Sequence, residues 1–137
     1  MTTLPYHVLQ RTSSITRKLG KCMSDLVSQQ KEVCLRFNAD YEPMDLNLMV
    51  GVSKNFLSGV LPLNGLRNPP EGQACGWFLW AGEEFSEAQD FFEVCHAHHL
   101  VDRCPKVTRY LGLAPGWRFL LAGDYEDVWF DAKLLEV

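Results

Sequence analysis

Between Pro115 and Asp131 the chain reads PGWRFLLAGDYEDVWFD: two short apolar runs either side of a Gly-Asp-Tyr connection, opened by Pro-Gly. Pro-Gly marks a turn, and apolar runs split by Gly and Asp read as an antiparallel hairpin. Trp117 to Ala122 is expected as the first strand, Asp124 and Tyr125 as the connecting turn, and Glu126 to Phe130 as the return strand. Side chains alternate along a strand, so Val128 and Phe130 share one face while Asp127, Trp129 and Asp131 share the other. The four acids and two tryptophans of this stretch raise three possibilities: a catalytic carboxylate cluster, a metal site, or an acidic edge that grips another protein.

The rest of the chain supplies what the hairpin packs against. Residues 1–12 read as a loose leader, and Ser13 or Ser14 as a helix N-cap. Ile15, Leu19, Cys22, Leu26, Val33 and Phe37 then recur at three- to four-residue steps, broken at Gln29 and Gln30, with Met23, Val27 and Cys34 widening the stripe. That spacing predicts an amphipathic helix ending near Asn38, with Gly20 a point where it divides. Arg17, Lys18, Lys21, Asp25 and Lys31 form its solvated face. Leu46 to Val52 predicts a strand with a bulge at Gly51. The Pro-, Gly- and Asn-rich run from Leu57 predicts mostly loop, with a brief edge strand at Gly59 to Leu63. Ala74 to Gly82 predicts a strand covered on both faces, Trp77 and Leu79 on one side, Phe78 and Trp80 on the other. Ser86 is an N-cap candidate for a second helical region, in which Phe92, Cys95, His96, His99 and Leu100 have helical spacing. That region breaks near Asp102 to Cys104 and restarts with Pro105 at the first helical position, with Val107, Tyr110 and Leu111 as its apolar face. Strands that follow helices without regular alternation predict the α+β class: one domain over 1–137, an N-terminal helix, and a small, mainly antiparallel sheet ending in a hairpin.

Composition narrows the function. The chain has 137 residues, 47% hydrophobic and 22% charged, enough for one real core. Residues 1–40 hold six Lys/Arg against three Asp/Glu, whereas residues 41–137 hold seven against fourteen. That acidic balance argues against nucleic-acid binding, which needs a Lys/Arg footprint, and suits solubility or a partner with a basic surface. No apolar run nears the length of a membrane span, and the N-terminus lacks an apolar signal region. The expectation is a cytoplasmic protein with no membrane partner. Cys22, Cys34, Cys75, Cys95 and Cys104 are widely spaced with no C-x-x-C, which predicts free thiols.

Cys95 and His99, four apart on an expected helix, together with His96 and Cys104, are candidate metal ligands. Cys104 lies past the expected break and nothing closes a tetrahedral site, so core or interface histidines are preferred and no cofactor is expected. Glu83-Glu84, Glu126-Asp127 and Asp131 are candidates for an acid/base pair, although carboxylates at turns are usually solvated. No phosphate cradle, nucleophile elbow or persuasive triad occurs. The residues favour a binding protein over an enzyme.

The stretches GLRNPPEG, GWFLWAGEEFSE, FFEVCHAHHL, CPKVTRYLGLAPGWRFLLAGDYEDVW and FDAKLLEV resemble the immunity-protein-thirty-three family, most strongly from Leu46 to the C-terminus. The resemblance implies a bacterial antitoxin that binds and neutralises a cognate toxin encoded nearby, most simply by covering its active site. It implies no catalytic residues. Arg67, Trp77, Trp80, Trp117, Arg118 and Asp131 stand among its characteristic positions as a structural motif, with Arg67 and Arg118 as partners for the acids. Glu83, Glu84, Glu87, Asp124, Tyr125, Glu126, Asp127 and Trp129 are the toxin-contact candidates. Member-specific contacts are expected instead from the N-terminal helix, the 53–63 segment and exposed residues of 83–98. The alternative is a small metalloprotein or enzyme using His96, His99 and Cys104 or the hairpin carboxylates. Oligomeric state is open.

Overall fold

A computed structural model describes residues 24–85 and 90–136. The leader, the Ser13/Ser14 cap, Gly20, Cys22, Met23 and the basic positions before them lie outside the described residues, as do Ser86 and Glu87. Helix α1 is described over 24–36. Its buried stripe is Leu26, Gln30, Val33 and Cys34. The interruption at Gln30 is therefore no break: Gln30 Nε2 donates to the Thr108 carbonyl at 3.0 Å, which satisfies a buried amide where the pattern asks for an apolar residue. Val27 lies outside the stripe and is exposed. Asn38, at φ 56°, ends the helix in the left-handed region, as expected for a C-terminal cap.

Among the described residues six strands follow: β1 Met49–Ser53, β2 Leu63–Arg67, β3 Ala74–Ala81, β4 Phe92–His96, β5 Trp117–Ala122 and β6 Tyr125–Phe130. Two short helices, α2 His98–Arg103 and α3 Pro105–Thr108, separate β4 from β5, and a 3-10 turn at Ala132–Glu136 follows β6. The strands form one sheet in the order β4-β1-β3-β2-β5-β6. Only β1 and β3 are parallel; the other four pairings are antiparallel. The class is α+β, as the sequence implies. The register shifts between Met49 and Gly51, where a bulge was expected.

Three strand assignments differ from expectation. The brief edge strand expected at Gly59 to Leu63 is absent; the strand starts only at Leu63 and runs to Arg67 as β2, fully buried between β3 and β5. Its glycine is not a turn residue. The Phe119 ring of β5 lies across Gly65, where a Cβ would collide with it, so the position needs hydrogen rather than flexibility. Phe92 to His96 is strand β4, not helix, and all five residues pair with β1. Its residues fit a period of two as well as one of 3.6, and an available edge on β1 decides between them. The hairpin turn is Gly123-Asp124; Tyr125 already pairs with Ala122.

Pairing register sorts the side chains by face. Leu63, Cys75, Trp77, Leu79, Ala81, Phe119 and Val128 join Val33 and Cys34 of α1, Leu100 of α2 and Val107 of α3 in one core. Trp77 and Phe119 rings meet at 5.7 Å, and Trp77 Nε1 donates to the Leu111 carbonyl at 3.1 Å. On the opposite face Phe78, Trp80, Phe85, Phe91 and Phe92 form a chain of edge and tilted ring contacts 4.8–6.3 Å apart. Both faces of β3 are covered, as its unbroken apolar run requires. Pro105 sits at the start of α3 after a break at Cys104, as expected. No helix among the described residues is long and apolar enough to cross a membrane.

Candidate functional site

The hairpin acids do not form a cluster. Asp124 lies in the turn; Glu126 and Asp127 project to opposite faces of β6; Asp131 lies beyond the far end of the strand, about 20 Å away at normal strand rise. Asp127 and Asp131 are thereby separated from Asp124 and Glu126, which line one recess beside the turn. Glu126 takes a bidentate contact from Arg36 of α1, at 2.8 and 2.9 Å, and accepts a hydrogen bond from the Tyr110 hydroxyl. The Arg36 hydrogen bonds hold the Glu126 carboxyl down to about 2. Burial, reinforced by that carboxylate, pushes the Tyr110 phenol up to about 12. This trio fastens α1 and the 110 turn to the hairpin.

Arg118 contacts Asp131 at 3.1 Å and lies over the Trp129 ring, 5.4 Å from its centroid. Arg118 is thus the acid partner expected of it. Arg67 is not. Its guanidinium is buried, makes no salt bridge to a carboxylate among the described residues, and donates to the carbonyls of Cys75, Glu42 and Leu113 at 3.2, 2.7 and 2.8 Å. Burial moves its pKa down. It joins the segment after α1, strand β3 and the turn before β5. Trp77 and Trp80 are buried, and Trp117 packs edge-on against Phe130 at 5.6 Å. Arg67, Trp77, Trp80, Trp117, Arg118 and Asp131 are each buried or engaged in packing or hydrogen bonds within the fold.

Topology gathers a different set. The C-terminal ends of β1, β3 and β5 and the N-terminal ends of β2, β4 and β6 lie at one end of the sheet. Segment 54–62, the residues after β3, and the Gly123-Asp124 turn therefore meet there. Asn64 Nδ2 donates to the carbonyls of Pro62, Trp80 and Gly82, and Asn55 Nδ2 to that of Ala81, pinning the 54–62 segment to the end of β3. Leu57, Val60, Leu61, Phe85 and Tyr125 are all exposed at this end, between 43% and 58%. Exposed Glu83, Glu84, Asp90 and Asp124 stand among them. A recess of about 320 Å³ beside the turn is lined by Lys106, Arg109, Tyr110, Asp124, Tyr125 and Glu126. Asp127 and Trp129 lie partway along β6 on the opposite face from the core, outside this end. Sequence reasoning marked the 53–63 segment as a whole but missed its individual apolar residues, because Leu and Val in a loop carry no periodicity.

His96, His98 and His99 are exposed, so of the expected core or interface positions the structure removes the core one. The buried residue of that stretch is Ala97. Cys104 does not join the histidines, and His98 takes the place expected for it. Cys34, Cys75, Cys95 and Cys104 are free thiols, each pushed up in pKa by burial.

No curated protein and no solved structure matches the chain. A family model does: the Imm33-like domain, over residues 29–131. The span opens inside α1 and takes in all six strands, ending at Asp131, the partner of Arg118. Covering most of the sequence, it shows that the chain belongs to the Imm33-like family of immunity proteins, whose members act as antitoxins and are not catalysts.

Proposed function

We propose that this immunity protein captures a cognate toxin, encoded nearby and met in the cytoplasm, with the loop-bearing end of its sheet, and that it neutralises the toxin by covering its active site. One observation carries the reading: half of the large apolar side chains exposed among the described residues, Leu57, Val60, Leu61, Phe85 and Tyr125, collect at that end, beside Glu83, Glu84, Asp90 and Asp124. An apolar centre supplies desolvated anchors and an acidic rim steers a basic partner. A toxin active site that binds phosphate-bearing or otherwise anionic substrates presents such a basic surface. Of the sequence candidates, Glu83, Glu84, Asp124 and Tyr125 are the contacts favoured here; Glu126 is committed to Arg36 and Tyr110, and Asp127 and Trp129 lie along β6.

The test is co-expression with the adjacent toxin gene, followed by purification through a tag on the toxin. The wild-type chain co-purifies and rescues growth. Tyr125→Ala together with Leu61→Asp weakens binding at least tenfold while leaving the denaturation midpoint unchanged, because both side chains are exposed. If these variants bind and protect like the wild type, the docking surface lies elsewhere. If the wild type neither binds nor protects, that gene product is not the partner.

A further inference from the structure

The sequence H-x-H-H at 96–99 converges only because of where it falls in the fold. On a continuous strand His96 and His98 would share a face and His99 would point away; on a continuous helix His96 and His98 would not face each other. Here β4 ends at His96 and α2 begins at His98, with Ala97 between them at φ −58° and ψ −32°. That switch brings one nitrogen from each imidazole within 4.8 Å of the others. The His96 and His98 rings stack at 5.6 Å with 16° between planes, and the His98 and His99 centroids are 4.3 Å apart. The junction is anchored: Ala97 is fully buried, its N–H donates to Leu48 O at 2.9 Å, and the His98 N–H donates to Leu46 O at 3.0 Å.

We propose that His96, His98 and His99 form a binding site for a divalent transition-metal ion of the zinc class. Zinc–imidazole bonds are about 2.0–2.1 Å, so tetrahedral ligand nitrogens stand about 3.4 Å apart. The ligand nitrogens already lie within 4.8 Å of one another on exposed side chains, close to that spacing. A donor set of imidazole nitrogens selects zinc, nickel, cobalt or copper over magnesium or calcium. Cys95 faces the other side of β4, paired with the core residue Val50, so the thiol does not complete the set. Three ligands leave the fourth position to water. The site lies at the opposite end of the sheet from the proposed toxin-docking surface and does not depend on it.

The experiment is calorimetric titration of the untagged full chain with Zn²⁺ near neutral pH, repeated with Co²⁺ to read the coordination geometry by absorbance. The expected result is one equivalent bound, with tetrahedral cobalt absorption. His98→Ala weakens binding at least tenfold, His96→Ala/His99→Ala abolishes it, and Cys95→Ser/Cys104→Ser leaves it unchanged. The histidine variants keep the metal-free denaturation midpoint, because all three side chains are exposed, and Zn²⁺ raises that midpoint only where the three histidines remain. Failure of the wild type to take up metal overturns the site. So does a double-histidine variant that binds like the wild type, or loss of binding in the cysteine variant.

Discussion

Arg67 ties three separate segments together. Its three carbonyl acceptors belong to Glu42, Cys75 and Leu113, on segments otherwise distant in sequence. Arg67→Ala leaves buried carbonyls unpaired and is expected to cost about 3 kcal/mol in urea denaturation. Arg67→Lys recovers only part of this, because an ammonium cannot match the guanidinium fork. Gly65 shows the complementary case, where the absence of a side chain does the packing. Gly65→Ala drives a methyl into the Phe119 ring and is expected to cost about 1–3 kcal/mol. Adding Phe119→Leu relieves the collision, so the double variant costs less than the sum of the two single changes. Additive costs would show that the ring and the glycine are not coupled.

Elements are joined by a charged clasp as well as by the core. Arg36 of α1 grips Glu126 of β6, and Tyr110 closes the contact. The Glu126 carboxyl is depressed from 4.5 to about 2 in the folded protein. A depressed carboxylate contributes stability that is fully present above the unfolded pKa and is lost as pH falls through the folded one. The clasp therefore holds above about pH 4.5 and fades toward pH 2. Because Arg36 is 43% exposed, solvent screening limits the contribution to about 1 kcal/mol. Glu126→Gln is expected to lower stability by about that amount at neutral pH, with the gap to wild type closing below pH ~4.5 and shrinking in high salt. A gap that stays constant with pH would show that the effect does not come from the charge.

At the scale of the whole molecule the two ends of the sheet differ. One end carries loops with exposed apolar and acidic groups; the other carries the histidines and the joints held by Arg67, Arg118 and Asp131. The first end is expected to govern the rate of toxin capture. Glu83→Lys/Asp124→Lys should slow association, flatten its dependence on ionic strength and leave the unfolding midpoint within about 0.5 kcal/mol of wild type. Stopped-flow association over a salt series measures this. Unchanged rates would remove the acidic rim from the steering.

Some of this architecture can be read directly from local sequence because its causes are local. Pro115-Gly116 opens β5 and Pro105 starts α3 since proline and glycine restrict or free the backbone wherever they stand. The alternation of β6 and the end of α1 at Asn38 follow from period and cap chemistry within a few residues. The resemblance carried by the Trp-, Gly- and acid-rich stretches likewise identified the family. Long-range pairing decided the rest. Gln30 lies in a helical core stripe because a carbonyl 78 residues away accepts its amide. LNGLR is a central strand because the Phe119 ring fills the space above its glycine. FEVCH is a strand because β1 offers it an edge. The exposed apolar residues of the loops become one surface, and three neighbouring histidines become one cluster, only when strands from distant parts of the chain are set side by side. Such juxtapositions are made by contacts between remote segments, which leave no periodic trace in any one of them.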